Sequence, residues 1–246
     1  MARLAGKVAL VTGGSRGIGE GIVRRLAADG AAVVFTYHSG ERAAKQLATQ
    51  LRAEGADVRP ARADSADADL LRETVRGVYL SHGHLDILVN NAGIGHFGAF
   101  SDITADQYDR VLAVNLGAVF HASQQALQHM DTGGRIITIG SVNADRNPIP
   151  GASIYALTKA GAAGFGSALA REVSHRGITV NTVQPGPIAT DLNPAQGPFA
   201  DILRPHIATG GYGNTADVAA LVSFLAGPEA DYITGATINI DGGFSI

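Results

Sequence analysis

Tyr155 and Lys159 stand four residues apart in a segment, Ser153 to Ser174, whose pattern predicts a helix after a loop holding Pro148, Pro150 and Gly151. That spacing puts both side chains on one helical face. An ammonium held beside a phenol favours the phenolate, and a phenol so tuned can exchange a proton with a carbonyl or hydroxyl oxygen. The pair taken alone is also an ordinary surface pair, so its meaning depends on its neighbours. Ser141 directly follows the apolar run Arg135 to Gly140. Its hydroxyl could hold a substrate oxygen, and it fits a plain turn equally well. Asn90-Asn91-Ala92-Gly93 closes another apolar run and by itself reads as an asparagine-rich turn. Asn115 interrupts the helical run Val111, Leu112, Val114, Leu116, Val119 and Phe120. An amide there needs hydrogen-bond partners and serves either structure or a polar relay.

A second chemistry lies in Thr12-Gly13-Gly14-Ser15-Arg16-Gly17-Ile18-Gly19, which follows one apolar run and precedes a helical pattern. Strand, glycine turn and helix together aim a helix amino terminus at an anion. Gly13 suits a tight turn, Gly17 a close approach of backbone to a pyrophosphate, and Gly19 close packing of helix on strand. Three residues separate the first two glycines, so the spacing departs from the strict G-x-G-x-x-G. Without a ligand the same stretch is a glycine-rich connection. Gly13, Ser15 and Gly17 also match the G-x-S-x-G of a hydrolase nucleophile elbow. That elbow normally lies well inside a sheet, whereas Ser15 follows the first strand.

Seven short β-branched runs would position these groups: Val8 to Thr12, Ala32 to Tyr37, Val58 to Ala63, Leu85 to Asn90, Arg135 to Gly140, Ile178 to Gln184 and Thr237 to Asp241. Between them, apolar residues recur at helical spacing, and Gly30, Gly55, Gly83, Gly133 and Gly177 fall where helices should stop. Alternating strand and helix predicts an α/β fold, a single Rossmann-type doubly wound parallel sheet of seven strands flanked by helices, forming one domain over residues 1–246. Pro185 to Asn214, with five prolines, predicts an irregular segment at the carboxyl edge of the sheet that covers substrate at about 187–213, after which Thr215 is expected to cap the last helix.

Of the 246 residues, 46 % are hydrophobic and 17 % charged, which excludes a disordered chain. Nineteen Lys and Arg against 22 Asp and Glu, with no long block of either sign, argue against nucleic acid as a partner. The absence of cysteine excludes disulfides, thiolate nucleophiles and cysteine-ligated zinc, and is compatible with a reducing cytoplasm. His82 and His84 flank Gly83 without a carboxylate pattern, so no metal site is expected. No signal-peptide pattern precedes the first strand, and no stretch reaches the roughly 18 apolar residues of a membrane span, so no membrane partner is expected.

Thr12 to Gly19, Asn90 to Gly93, Asn115, Ser141, Tyr155, Lys159 and Pro185-Gly186 stand in the order and spacing of the short-chain dehydrogenase/reductase family, over essentially the whole chain. Within it the chain resembles the 3-oxoacyl-carrier-protein-reductase-like group, and Ile139 to Arg146 with Val183 to Ile188 resemble a cyclic-diguanylate-binding member. The resemblance implies hydride transfer between a nicotinamide and a ketone or secondary alcohol. It gives Tyr155 the role of general acid or base, Ser141 that of orienting the carbonyl, Lys159 that of holding the nicotinamide ribose, and Asn115 that of holding a relay water. It also implies cofactor contacts from Gly13, Ser15, Arg16, Gly17, Ile18, Gly19, Asp64 and the adjoining Ser65, Asn91, Ala92, Gly93, Tyr155, Lys159, Pro185, Gly186, Ile188 and Thr190. Asp64, just past the third strand, could accept a hydrogen bond from an adenine amine or could cap a helix.

An NAD-selective site places an acid at the end of the second strand. Here Phe35-Thr36-Tyr37-His38-Ser39 holds none before Glu41, while Arg16, His38, Ser39 and backbone amides can meet a 2'-phosphate. Tyr37, His38 and Ser39 are therefore candidate cofactor contacts, and NADPH is expected to be preferred over NADH. His96, just past Gly93, is a candidate substrate contact or a solvated loop residue. Three glycines inside the Ala160 to Ala170 helix call for a close neighbour, the sheet or a helix of another subunit. The resemblance implies the latter, in a homotetramer. Asp131 stands where a base would help an acidic carrier dock, which favours a small free ketone over an acyl-carrier thioester. The competing reading is a regulatory protein on the same fold that sequesters cyclic diguanylate.

Overall fold

Each β-branched run forms a strand, with ends that match the expected ones or differ by at most two residues. The computed structural model describes residues 2–246. The strands are β1 (Val8–Val11), β2 (Ala32–Tyr37), β3 (Val58–Arg62), β4 (Ile87–Asn90), β5 (Arg135–Ile139), β6 (Thr179–Pro185) and β7 (Thr237–Ile240). They pair in parallel in one sheet of order β3-β2-β1-β4-β5-β6-β7. In register, Leu10 of β1 faces Leu88 of β4 and Val11 faces Phe35 of β2. Central β1, β4 and β5 are buried throughout, as strands covered on both faces must be. Chain direction across the sheet reverses between β1 and β4, and in such sheets ligands bind outside the carboxyl ends at that crevice.

Helices α1 (Gly17–Ala28), α2 (Glu41–Ala53) and α8 (Thr215–Ala226) cover one face, where Ile22, Leu26, Leu47 and Val222 meet the strands. On the other face lie α3 (Ala68–His82), α5 (Ala118–Ala126) and α6 (Ser153–Val173), through Leu71, Val75, Ala122 and Leu169. The expected helix stops occur. Gly83, for one, takes φ 80° and donates its N–H to the Tyr79 carbonyl. Among the described residues no helix is long and apolar enough to cross a membrane.

Four expectations change. The Asn115 segment is not uniform: α4 (Ala105–Leu112) passes into a π-helical turn, Ala113–Gly117, before α5 begins. The proline-rich segment is not wholly irregular, because Pro198 starts a short helix, α7 (Pro198–Leu203), at a position where its missing N–H costs nothing. The last helix is capped by Asn214 rather than Thr215: Asn214 accepts from the N–H groups of Ala216 and Asp217, and the Asp217 side chain accepts in return from the Asn214 N–H. The α6 glycines separate into two kinds. A Cβ on Gly161 would lie 3.1 Å from Leu116, and one on Gly166 3.0 Å from Thr182, so these two are explained within the chain. A Cβ on Gly164 would meet nothing within 4 Å.

Candidate active site

Three carboxyl ends of the sheet and one helix bring the candidate residues together. Helix α6 carries Tyr155 and Lys159. Lys159 is 5 % exposed, and its ammonium donates to the Ile139 carbonyl at the end of β5 (2.8 Å) and lies 5.5 Å from the centroid of the Tyr155 ring. Thr158 between them is fully buried and donates to the Tyr155 carbonyl. Its hydroxyl also accepts from the Asn115 amide (3.0 Å).

Asn115 has every partner a buried amide needs. Its Nδ2 donates to the Ile94 carbonyl as well as to Thr158, and its Oδ1 accepts the Ile94 N–H (2.9 Å). These bonds tie the π-helical turn to the segment after β4 on one side and to α6 on the other. The wide turn is what brings the amide to both, and such turns recur at functional sites.

Ser141, just beyond β5, accepts from the Asn143 N–H and donates its proton to the Asn143 side-chain carbonyl (3.1 Å). Asn143 is itself held, because its Nδ2 donates to Asn147 Oδ1 while Asn147 Nδ2 donates to the Asn143 carbonyl.

At the other end of the cleft, Thr12 Oγ1 accepts the N–H groups of Asn91 and Ala92, and Asn91 Nδ2 donates to the carbonyls of Thr12 and Gly13. The ends of β1 and β4 are thus laced together around the glycine turn. Gly13 stands at φ 66°, and a Cβ there would lie 3.0 Å from Ala92 Cα. A Cβ on Gly19 would come to 2.2 Å of the Gly13 carbonyl oxygen, so the helix start sits directly on the turn rather than on the strand. No side chain caps α1. Exposed Arg16 lines the cavity in front of it.

Past β3, Asp64 accepts both terminal nitrogens of Arg110 (3.0 and 3.0 Å) and the Ala66 N–H, with His38 Nδ1 3.5 Å away. Burial works to raise the Asp64 carboxyl, but the hydrogen bonds from Arg110 and Ala66 and the charges of Arg110 and His38 outweigh it and hold it below the usual carboxylate range. Glu41 is not at this site. It lies in the first turn of α2, paired with Lys45 (2.6 Å).

Two adjoining cavities, about 440 and 480 Å³, meet at Tyr155 and Thr190. Every candidate cofactor residue lines one or the other; Ser141 and Lys159 line the second, and Asn115 stands behind them. His96 lines neither, and the described residues hold no cluster of metal-binding side chains at His82 and His84 or elsewhere. The second cavity is walled by residues that sequence reasoning did not single out, among them Phe97, Phe199, Leu203 and Phe244. Phe97 lies 5.5 Å from the Tyr155 ring. Arg110 and Asn143 were also missed. Arg110 looks like any solvated basic residue of a helix, whereas Asn143 lay two residues after Ser141 in a stretch already of interest.

The family model described as Enoyl-(Acyl carrier protein) reductase matches residues 13–245. The chain is 48 % identical, over 99 % of both sequences, to the cyclic-di-GMP-binding biofilm dispersal mediator protein of Escherichia coli K12. It is 42 % identical, over 97 % of both, to the 3-oxoacyl-[acyl-carrier-protein] reductase FabG of Salmonella typhimurium. Among solved structures, a short chain dehydrogenase from Burkholderia cenocepacia J2315 in complex with NADP is 49 % identical and superposes with a TM-score of 0.97, covering 99 % of this chain and 100 % of that one.

Proposed function

The chain belongs to the short-chain dehydrogenase/reductase family of oxidoreductases, and from that premise we propose that it passes a hydride between NADP(H) and a small ketone or secondary alcohol. One observation carries the reading: the cavity in front of the glycine turn runs into an apolar cavity at Tyr155, with Ser141 and Lys159 beside it. Bound in the first cavity, the dinucleotide supplies the hydride. The residues fit it, since the glycine turn at the uncapped start of α1 lines that cavity and Arg16 adds an exposed cation. Arg16, His38 and Ser39 would meet the 2'-phosphate, and a charge-assisted hydrogen bond there is worth about 1.5 to 3 kcal/mol. NADPH is therefore expected to be preferred over NADH by roughly tenfold or more in kcat/KM.

In ketone reduction Tyr155 gives its hydroxyl proton to the carbonyl oxygen while Ser141 holds that oxygen. Lys159 places positive charge beside the ring that loses the proton, and Asn115 with Thr158 holds the loop after β4 against α6. The 187–213 segment covers the substrate, and Phe97 with Phe199 and Leu203 of α7 lines an apolar pocket that suits a free ketone bearing an apolar group. Tyr155→Phe tests the assignment. Turnover should vanish while the NADPH Kd stays within a few fold, because only the transferable proton is lost; activity above a tenth of wild type would refute it.

We also assign a homotetramer, supported by Gly164, open on α6, and by Phe120 and Leu157, exposed on α5 and α6. The cysteine-free chain suits a reducing cytoplasm, where we place it. The 48 % identity to a cyclic-di-GMP-binding protein favours a second reading, nucleotide sequestration on the same fold. Calorimetric titration with cyclic diguanylate, alongside a ketone panel with NADPH, separates the two.

A further inference from the structure

Among residues 241–246, which follow β7, only Phe244 is buried, at 3 % exposed. It lines the second cavity and forms one apolar cluster with Val142, Leu203 and Ile207. Val142 adjoins Ser141 and Leu203 belongs to α7, so the ring joins the turn that carries Ser141 to the segment assigned to cover the substrate. Regular backbone pairing does not hold it there. The strand ends at Ile240, and Gly242 and Gly243 take φ 61° and 79°, values foreign to a strand.

The segment is fixed from outside instead. The Thr209 N–H donates to the Gly242 carbonyl (3.0 Å), and Arg146 Nη1 donates to the carbonyls of Phe244 (3.1 Å) and Ile246. Arg146 therefore grips the backbone at Phe244 and two residues beyond it. Its own N–H donates to the Val142 carbonyl (2.8 Å), which fastens it to the turn that begins at Ser141. On these grounds, and resting on the ketone reading above, we propose that Arg146 is a positioning residue for substrate selection. It sets the place of the Phe244 ring relative to the hydroxyl that holds the carbonyl oxygen, and it acts through that ring on the apolar group of the ketone.

The test measures kcat/KM with NADPH on the full chain for a series of methyl ketones whose second group runs from ethyl to phenyl. Wild type should prefer the phenyl ketone over the ethyl ketone by roughly tenfold or more, as an apolar pocket does for a group that fills it better. Phe244→Ala should reduce that preference by roughly three- to tenfold, the worth of an aromatic contact. Arg146→Ala should reduce it by a similar factor, and the double variant should go no further than Phe244→Ala alone, because the two residues act as one. Arg146→Met keeps the length of the stem and loses every donor, so it repeats the comparison if Arg146→Ala does not fold. The NADPH Kd should stay within about twofold throughout, since neither residue lines the first cavity. A preference unchanged in the Arg146 variants, or losses that add up in the double variant, overturns the positioning role and leaves the ketone reading standing. Failure of wild type to reduce any ketone of the series overturns that reading and the positioning role with it.

Discussion

Ser141 has one hydroxyl proton, and it lies on the side-chain carbonyl of Asn143, whose own amide is pinned by Asn147. In the proposed reaction, presentation of that proton to a substrate oxygen depends on this short chain of amides. Asn143→Ala should lower kcat by roughly three- to tenfold, the worth of one hydrogen bond, and leave NADPH affinity unchanged; steady-state kinetics with a separate binding titration checks both halves. Lys159→Ala should instead harm rate and cofactor binding together, since the same ammonium is assigned to the ribose and to the neighbourhood of Tyr155. Loss of rate alone would remove the ribose role. Tyr155, Lys159, Ser141 and the glycine turn were picked out by spacing and by their order along the chain, and all of them line the two adjoining cavities. Arg110 and Thr158 were not, because the partners that give them meaning are 46 and 43 residues away.

Elements were read where local chemistry decides them. β-branched runs became strands, and glycines at positive φ ended helices, both consequences of a few neighbouring residues. Helix α7 was masked by the prolines around it, although Pro198 is what starts it. The π-helical turn had no local signal, since it is held by the bonds of Asn115 to Ile94 and Thr158. The cap of α8 was missed by one residue, and that residue can be tested. Asn214→Ala removes a capping box and should cost about 1 kcal/mol, lowering Tm by roughly 2–4 °C for a chain of this size. An unchanged melting curve would show that the box contributes nothing.

For the whole molecule, light scattering should give a tetramer, and Gly164→Leu should dissociate or destabilise it by overpacking the helix contact. A monomeric wild type would overturn the assembly. Acid sensitivity has a source in the carboxyl-terminal segment. Asp241 accepts from the N–H groups of Gly243 and Ser245 and from the Ser245 hydroxyl. Burial works to raise its carboxyl, but these bonds outweigh it and hold the group below its ordinary 3.8. A carboxyl depressed on folding stabilises the native state above its unfolded value and loses that contribution as pH falls through the folded one. Asp241→Asn should therefore melt lower than wild type at neutral pH, and the gap should close below about pH 4. A gap that persists in acid would mean that charge is not what Asp241 supplies.

The wide turn at Ala113–Gly117 also sets a phase. A turn closed between residues five apart holds one residue more than a regular one, and each residue of a helix turns it by about 100°. Before the turn, Arg110 faces Asp64; after it, Ala118, Ala122 and Ala126 pack on the sheet. A regular helix that kept those alanines in the core would swing Arg110 by about that angle, away from its carboxylate. One supernumerary residue thus lets a single rod keep two appointments that ordinary helical periodicity would set against each other, so deleting a residue there must break one of them.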